Sequence, residues 1–372
     1  MRDLRPRQSI YRCSRKTESC ALGWKYEFCT TKKGQKVTEQ IGTTDHGAEL
    51  ISHPDRNLAM ELVRATEAAA IRAVPWIGRG NKNAADGAAV DAMRKFLATV
   101  DFQGEVVIGE GEKDEAPMLF NGEIVGNGTG PLCDIAVDPI DGTSLTAAGR
   151  PNALSVIAVA DRGSMYNPKD VFYMDKIVTG SAGHGVIDLE RPIGDNIRAL
   201  AKALDKDLVD MKIAVLDRPR HEQLIAEIRE AGAGTELMLD GDVAGGIVAA
   251  LGTGRIDMCV GIGGTPEGVI TACAVKALGG VMQGRLHPRN EEEHQKAIDA
   301  GHDLSRVLTQ DDLVTTDNTF FVCTGVTDGM LVKGVDRERN AITTDSVVLR
   351  SHSGTFRRVT ATHRVDKWLN DD

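Results

Sequence analysis

The stretch at residues 133–143 most constrains how this chain can fold, because an apolar strand there leads into an acidic turn. The run at 135–137 is entirely apolar and is typical of a short buried strand. Pro139 cannot donate a hydrogen bond to a strand ladder, so we expect the strand to stop there. Gly142 then permits a tight turn with positive φ. The pattern predicts a ligand site at the carboxyl end of this strand, where ligands bind in open α/β sheets.

Oxygen-bearing side chains occupy this turn. Asp138 and Asp141 supply two carboxylates, and Thr143 supplies a hydroxyl two residues later. Mg²⁺ commonly binds one or two carboxylates together with a substrate phosphate, and a nearby hydroxyl can orient a metal-bound water. The alternative is an ordinary strand-to-turn junction, in which Asp and Gly are common.

A polar, glycine-rich loop at 78–87 follows a helix predicted at 56–74, which has an apolar stripe and is ended by a proline. Asp86 is expected at the N-terminus of the next helix. There it either caps the helix or serves as a metal carboxylate that polarises the attacking water. Lys82 is near enough in sequence to meet a phosphate.

Acidic residues also follow the next strand, which is predicted at 106–108. Glu110 stands between two glycines, which let the backbone approach a ligand closely. Glu110 is therefore a candidate metal bridge, and Glu112 and Asp114 are candidate bases. A solvated charged loop is the alternative.

Two arginines follow the strand predicted at 212–216 and flank Pro219 at the start of a helix. Helix N-termini favour anions and arginine binds phosphate in a bidentate manner, so Arg218 and Arg220 are candidates to hold a phosphate. A solvated helix start is the alternative. Tyr173 belongs to an aromatic patch that is either core or a source of a hydroxyl for a phosphate.

Two further strands, predicted at 235–239 and 256–260, also end in turns that carry acidic residues. The carboxylates at 240–242 can accept hydrogen bonds from sugar hydroxyls, or Asp242 can cap the helix that follows. Glu267 lies in the first turn of another helix, where the helix dipole favours it. Directed into the site instead, Glu267 would complete a metal centre.

Composition narrows the class of protein. The chain has 372 residues, is 41% hydrophobic and carries a net charge of −10, so it can bury a large core and is not expected to bind nucleic acid. Its acidity would repel phosphorylated substrates, which local arginines, lysines or metal ions must overcome. No apolar run approaches about 18 residues, so we expect no transmembrane helix.

The N-terminal segment and the cysteines suggest a cytoplasmic location. Residues 1–52 begin with ten Lys or Arg against four Asp or Glu in the first 40 positions, without the apolar core of a secretory signal. We expect this segment to be a basic, disordered extension, and an organelle transit peptide is the alternative. Four of the seven cysteines lie in apolar stretches and are expected to be buried thiols in a reducing compartment.

Six motifs in order along the chain resemble those of class II fructose-1,6-bisphosphatases of the bacterial type. These enzymes belong to the lithium-sensitive sugar-phosphatase superfamily, which also holds inositol monophosphatases. The resemblance runs from about residue 56 to the end. The motifs are Asn-Ala-Ala-Asp-Gly at 83–87, Gly-Glu-Gly-Glu at 109–112, Asp-Pro-Ile-Asp-Gly-Thr at 138–143, Arg-Pro-Arg-His at 218–221, Asp-Gly-Asp at 240–242 and Gly-Gly-Thr-Pro-Glu-Gly at 263–268. The spacing of the aspartates at 138–143 differs from the haloacid-dehalogenase motif, which argues against an aspartyl-phosphate nucleophile.

The resemblance implies a set of site residues. The implied metal ligands are Asp86, Glu110, Asp138, Asp141 and Glu267. The implied substrate contacts are Asp141, Gly142, Thr143, Tyr173, Arg218, Pro219, Arg220, Asp240, Gly241, Asp242 and Gly264, and Lys82 is added from its position. The expected catalytic residues are Thr143 and Asp86, with Glu112 and Asp114 as further candidates. Related proteins can carry Glu at position 141 and Lys at position 218, which keeps the charge but leaves metal preference and affinity open.

The resemblance also implies a fold and a function. We expect a layered α-β-α-β-α sugar phosphatase fold, with a metal-binding half at 53–190 and a sugar-phosphate-binding half at 191–372 that includes closing C-terminal strands. Two or more Mn²⁺ or Mg²⁺ ions would support hydrolysis of the 1-phosphate of fructose 1,6-bisphosphate, a step of gluconeogenesis and glycerol metabolism. A cytoplasmic homo-oligomer, dimer or tetramer, is expected.

Three alternatives stay open. Sedoheptulose-1,7-bisphosphatase activity, alone or as a second activity, would use the same residues. An inositol monophosphatase would not need the arginine anchor. A catalytically silent regulator that binds sugar phosphates would keep the acids without turnover.

Overall fold

The computed structural model describes residues 17–19, 25–27, 58–109, 119–169 and 171–368. Within residues 1–57 these include only two three-residue strands, which pair antiparallel with each other. The disorder expected for residues 1–52 otherwise lies outside the described ranges. The candidate acids Glu110, Glu112 and Asp114 also lie outside them.

Strands and helices alternate along most of the chain. The strands are β1 (Thr17–Ser19), β2 (Lys25–Glu27), β3 (Gln103–Ile108), β4 (Ile124–Val125), β5 (Leu132–Asp141), β6 (Leu154–Asp161), β7 (Tyr173–Thr179), β8 (Lys212–Leu216), β9 (Gly234–Met238), β10 (Met258–Gly264), β11 (Val281–Leu286), β12 (Leu308–Thr309), β13 (Thr319–Gly325), β14 (Asp336–Arg337), β15 (Ala341–Arg350) and β16 (Thr355–Arg364). The α-helices are α1 (Leu58–Ala73), α2 (Lys82–Leu97), α3 (Thr143–Ala148), α4 (Ile193–Leu204), α5 (Glu222–Glu230), α6 (Val243–Leu251), α7 (Thr265–Leu278), α8 (Glu291–Asp299), α9 (Gln310–Leu313) and α10 (Val365–Trp368).

Two mixed sheets organise the part of the chain that follows residue 57. The larger runs in the order β14-β15-β13-β6-β5-β3-β4, with β16 paired to β15, and the smaller runs in the order β12-β11-β7-β10-β8-β9. Strands β3 and β5 are parallel, as are β8 with β9 and β8 with β10, whereas β7 is antiparallel to both of its neighbours. The carboxyl ends of β5, β8, β9 and β10 are followed by the turns that the sequence marks as functional.

Alternating side chains on the strands create three apolar cores, which define five layers. Phe320 of β13 joins the core under α1 and α2, whereas its neighbour Phe321 joins the core around α6 and α7, between the sheets. A third core packs α4 and α5 on the far face of the smaller sheet, through Ile197 and Ile213 among others. The α-β-α-β-α layering expected from the sequence is confirmed.

Strand β5 extends farther than the sequence predicts. Pro139 was expected to end it, but the strand continues to Asp141. The pairing of β5 with β6 shifts register between Asp138 and Asp141, so Pro139 lies in an irregularity where no ladder hydrogen bond is required of it. The expectation was wrong because a bulge accommodates proline within a strand.

Helix α2 begins earlier than predicted. Asn81 is its N-cap and accepts a hydrogen bond from the Ala84 backbone N–H at 3.0 Å, so the helix starts at Lys82. Asp86 is therefore inside the helix and does not cap it, which corrects its predicted place at the N-terminus. Its side chain is buried, and capping no longer explains its presence.

The sequence predicted four buried cysteine thiols and no transmembrane helix. Cys133, Cys259, Cys273 and Cys323 are free and buried, as expected, and burial raises the pKa of each thiol to about 12. Among the described helices, none is long and apolar enough to cross a bilayer.

Replacing Phe321 with Ala should destabilise the protein by about 3–5 kcal/mol, because it empties a fully buried position between the two sheets. Replacing Phe356 with Ala is the matched control, since that ring is 43% exposed and its loss should change stability far less. Urea unfolding of both variants tests this. Equal destabilisation would contradict the assignment of the central core.

Candidate active site

The end of β5 brings two predicted site segments together. Gly142 has a φ of 89°, a conformation that glycine adopts without strain, and it turns the chain from β5 into α3. Lys82, the first residue of α2, donates a hydrogen bond from Nζ to Ser144 Oγ at 2.5 Å. The start of α2 is therefore tied to the start of α3, beside Thr143.

Asp141 meets the turn between β9 and α6 at very close range. Its side chain is 2% exposed. A Cβ atom added to Gly241 would lie 2.7 Å from Asp141 Oδ1, and Gly241 also has a positive φ of 64°. Only a glycine at position 241 leaves space for the carboxylate there, so the structure joins the predicted segments at 138–143 and 240–242.

A buried ion pair holds Asp242. Lys176 of β7 places its Nζ 2.8 Å from Asp242 Oδ2, and both side chains are at least nine-tenths buried. The same ammonium donates a hydrogen bond to the Gly264 carbonyl at 3.1 Å. A Cβ atom at Gly263 would lie 1.9 Å from Asp242 Oδ2, so this glycine also makes space for a carboxylate.

Glu267 folds back over the start of its own helix. A Cβ atom at Gly264 would lie 1.7 Å from Glu267 Oε2, so the carboxylate lies directly on the backbone at the end of β10. Gly264 is the N-cap of α7, and the dipole of this helix favours negative charge near that end. Gly264 therefore leaves the space that the Glu267 carboxylate occupies.

Negative charge is concentrated around Asp141. Burial is the largest cause that raises the pKa of Asp141 well above its usual value, and the carboxylates of Glu267, Asp242 and Asp240 raise it further. Lys176 lowers it, but not enough to offset these effects. Asp141 Oδ2 is buried and accepts no hydrogen bond from the described residues. Such an oxygen-rich, charge-rich pocket matches the donor set of a hard divalent cation.

The two predicted arginines lie next to this acidic group. Arg218 Nη2 is 2.8 Å from Asp240 Oδ1. Arg220 donates to the Ile262 carbonyl at 2.8 and 3.1 Å, and its guanidinium carbon lies 4.7 Å from the centre of the Tyr173 ring. Tyr173 is therefore a platform for Arg220 as well as the first residue of β7.

His221 connects the turn that contains Arg218 and Arg220 to β10 by hydrogen bonds. One ring nitrogen, Nδ1, is 2.8 Å from the Leu216 carbonyl, and the other, Nε2, accepts a hydrogen bond from the Ile262 N–H at 2.8 Å. Burial lowers the pKa of His221, which agrees with a neutral ring that donates from Nδ1 and accepts at Nε2. The carbonyl that receives Arg220 belongs to the same Ile262.

Four of the five predicted metal ligands lie in the described ranges, and Glu110 does not. Asp86 is 6% exposed and lies one helical turn beyond Lys82, and Asp138 accepts a hydrogen bond at Oδ1 from the Ile140 N–H at 2.9 Å. Across the described ranges, no three His, Cys, Asp or Glu side chains are close enough to hold a metal ion by themselves. Glu110 lies outside those ranges, so metal ligation by the five acids stays a prediction.

Lys176 was not singled out from the sequence. A signal was present, because Lys176 stands in the apolar run of β7 beside Ile177 and Val178, where a lysine must find a buried partner. The identity of that partner, Asp242, depends on sheet order and was not readable from local pattern.

Fold and site together define an α/β protein with a buried acidic site beside a pair of arginines. The family described as bacterial fructose-1,6-bisphosphatase, glpX-encoded, matches residues 56–363. The chain is 46% identical over 325 residues to the fructose-1,6-bisphosphatase class 2 of Haemophilus influenzae, covering 84% of this chain and 97% of that protein. It is 44% identical to the fructose-1,6-bisphosphatase 1 class 2 of Escherichia coli K12, covering 84% of this chain and 96% of that protein. The chain belongs to this bacterial fructose-1,6-bisphosphatase family.

Solved structures give weaker likenesses. The extragenic suppressor protein SuhB from Bartonella henselae is 18% identical, with a TM-score of 0.32 over 55% of this chain and 75% of that chain. An extragenic suppressor from Pyrococcus furiosus is 13% identical, with a TM-score of 0.27 over 53% of this chain and 70% of that chain.

Replacing Asp141 with Asn should raise the melting temperature of the metal-free protein at about pH 7. The pKa of Asp141 is raised in the folded state, so stability falls as the pH rises above its usual value of 3.8 and the carboxylate must ionise. The gain should therefore shrink near pH 4. Asp207→Asn, an exposed substitution with the same charge change, is the control. Differential scanning calorimetry in the presence of a chelator measures the melting temperature of both variants. A lower melting temperature for Asp141→Asn than for the wild type would contradict the claim that burial and neighbouring carboxylates destabilise ionised Asp141.

Proposed function

We propose that this chain hydrolyses the 1-phosphate of fructose 1,6-bisphosphate, releasing fructose 6-phosphate and inorganic phosphate. The relatives named above carry the name of this activity and match nearly their whole length. The observation that carries the proposal is the meeting of Asp141, Asp242 and Glu267, from three elements, beside the turn that contains Arg218 and Arg220. A phosphoric monoester with a second phosphate suits such a site.

The acids are proposed to hold two or more Mn²⁺ or Mg²⁺ ions. The proposed ligands are Asp86, Glu110, Asp138, Asp141 and Glu267. Support comes from the buried Asp141 Oδ2, which accepts no hydrogen bond within the described ranges, and from the carboxylates that raise the pKa of Asp141. Bound divalent cations would supply positive charge to the phosphate oxygens and lower the pKa of a bound water.

The chain's own groups handle the water and its proton. Thr143, the first residue of α3, is proposed to hold the attacking water through Oγ1, and Asp86 to accept its proton. Glu112 and Asp114 are further candidates for that proton. Lys82 Nζ, held by Ser144 at the same turn, is proposed to contact the scissile phosphate.

The distal phosphate and the sugar are proposed to bind on the other side of the acids. Arg218 and Arg220 would grip the distal phosphate, because guanidinium groups bind phosphate in a bidentate manner and Tyr173 supports Arg220. Binding there would position the scissile phosphate. The remaining proposed substrate contacts are Asp141, Gly142, Pro219, Asp240, Gly241, Asp242 and Gly264.

We also propose how the chain is divided between metal and sugar-phosphate binding, and its assembly and metabolic role. Residues 53–190 would form the metal-binding half and residues 191–372 the sugar-phosphate-binding half. A cytoplasmic homo-oligomer, dimer or tetramer, that acts in gluconeogenesis and glycerol metabolism is consistent with the family.

Replacing Asp138 with Asn should lower kcat for fructose 1,6-bisphosphate by at least about 100-fold, because a metal-binding carboxylate becomes neutral. Phosphate release with Mn²⁺, with Mg²⁺ and in a chelator measures the effect. Asp207→Asn is the control for the charge change. Full turnover in Asp138→Asn would refute the metal role.

The same assay on wild-type protein separates the other activities. Sedoheptulose 1,7-bisphosphate and inositol 1-phosphate are compared with fructose 1,6-bisphosphate as substrates. Preference for the inositol ester would contradict the proposal. Binding of sugar phosphates without turnover of any would indicate a regulator and also refute it.

Replacing Arg220 with Ala should raise KM for fructose 1,6-bisphosphate by roughly tenfold or more, since a hydrogen-bonded charge on the distal phosphate is lost. Arg198→Ala is the control, because Arg198 is an exposed surface residue paired with Asp195. Steady-state kinetics measures both variants. An unchanged KM in Arg220→Ala would argue for a monophosphate substrate.

A further inference from the structure

Lys176 is a lysine placed where lysines rarely occur. It lies in the middle of β7, is 4% exposed, and points its ammonium at the junction of β10 with α7. Burial would lower the pKa of Lys176, but the Asp242 and Glu267 carboxylates raise it above its usual value. The side chain therefore stays charged, and its partners must remain in place to stabilise it.

The partner of Lys176 is only half satisfied. Asp242 Oδ2 is 2.8 Å from the ammonium, whereas Asp242 Oδ1 is buried and accepts no hydrogen bond from the described residues. A buried carboxylate oxygen without a donor costs free energy unless a ligand supplies one. The free oxygen of Asp242 belongs to the turn that Asp141 contacts through Gly241.

A second lysine–aspartate pair, in which the aspartate is buried and the lysine is 25% exposed, provides a comparison. Lys206 Nζ lies 2.8 Å from both carboxylate oxygens of Asp257, and the Lys212 N–H donates to Asp257 Oδ2 at 2.9 Å. Both oxygens of Asp257 are therefore occupied. The contrast with Asp242 indicates that the Lys176 pair leaves one oxygen for something outside the protein.

The backbone beside this pair is shaped to fit it. A Cβ atom at Gly263 would lie 1.9 Å from Asp242 Oδ2 and 2.9 Å from Lys176 Cε. The ammonium also binds the carbonyl of Gly264, the N-cap of the helix that carries Glu267. One lysine thus contacts both the carboxylate proposed to bind the sugar and the backbone beneath an acid proposed to bind metal.

We infer that Lys176 is a positioning residue for substrate: it holds Asp242 by Oδ2 so that Oδ1 accepts a hydrogen bond from a hydroxyl of the sugar phosphate. The inference rests on the proposed sugar-phosphate hydrolysis. Lys176 itself touches no reacting atom and acts through Asp242. Its hydrogen bond to the Gly264 carbonyl also fixes the position of the start of α7.

Lys176→Met tests this inference, with Lys206→Met as the matched control. Methionine keeps most of the length of lysine and removes its charge. KM for fructose 1,6-bisphosphate should rise about tenfold in Lys176→Met, and calorimetric binding of fructose 6-phosphate should weaken by a similar factor. Lys206→Met should lower the melting temperature and leave both quantities within about twofold.

A double-variant cycle keeps the test decisive if Lys176→Met folds poorly. Lys176→Met combined with Asp242→Asn removes both buried charges and should recover melting temperature. Because Lys176 acts through Asp242, the double variant should bind fructose 6-phosphate about as weakly as Asp242→Asn alone. Losses that multiply in the double variant would overturn the inference.

The remaining outcomes separate this inference from the proposed function. Wild-type protein that releases no phosphate from fructose 1,6-bisphosphate overturns the proposed function, and the inference with it. An active wild type, together with a Lys176→Met variant that only loses melting temperature and keeps KM and fructose 6-phosphate binding, overturns the inference alone.

Discussion

Crowding of like charge beneath the surface is the constraint on which the site depends. Asp141 of β5, Asp242 just before α6 and Glu267 of α7 approach one another, and their mutual repulsion adds to the cost of burial. The ammonium of Lys176 offsets part of that cost. The fold supplies the rest of the stability from its three apolar cores, which lie on both faces of both sheets. A site with this imbalance is arranged to receive positive charge.

Glycines without side chains leave the space that the crowded carboxylates need. Gly241, Gly263 and Gly264 each stand where a side chain would collide with a carboxylate. Two of these glycines end β10 and lead into α7, and the third precedes α6, so the carboxylates also lie near helix N-termini. Glycine content at strand ends is thus a condition for the chemistry as well as for the turns.

Local pattern predicted most of the elements, and its failures have specific causes. The strand at 212–216 was predicted with the observed bounds, because the apolar run at 213–216 is short and continuous and directly follows Lys212. β5 was predicted too short, because a bulge tolerates Pro139, and α2 was predicted too late, because Asn81 caps it and the small residues after Lys82 are compatible with helix. In each case a local rule was applied without the pairing or capping partner that overrides it.

The sequence by itself determined which acids, glycines and arginines follow strand ends, since turn chemistry and strand periodicity act over a few residues. It also carried the motifs by which the family is identified. Only the tertiary structure decided that Asp141 lies against Gly241, that Lys176 pairs with Asp242, and that His221 and Arg220 share Ile262. These contacts join residues far apart along the chain, and their distances follow from sheet order and layer packing, which no local propensity specifies.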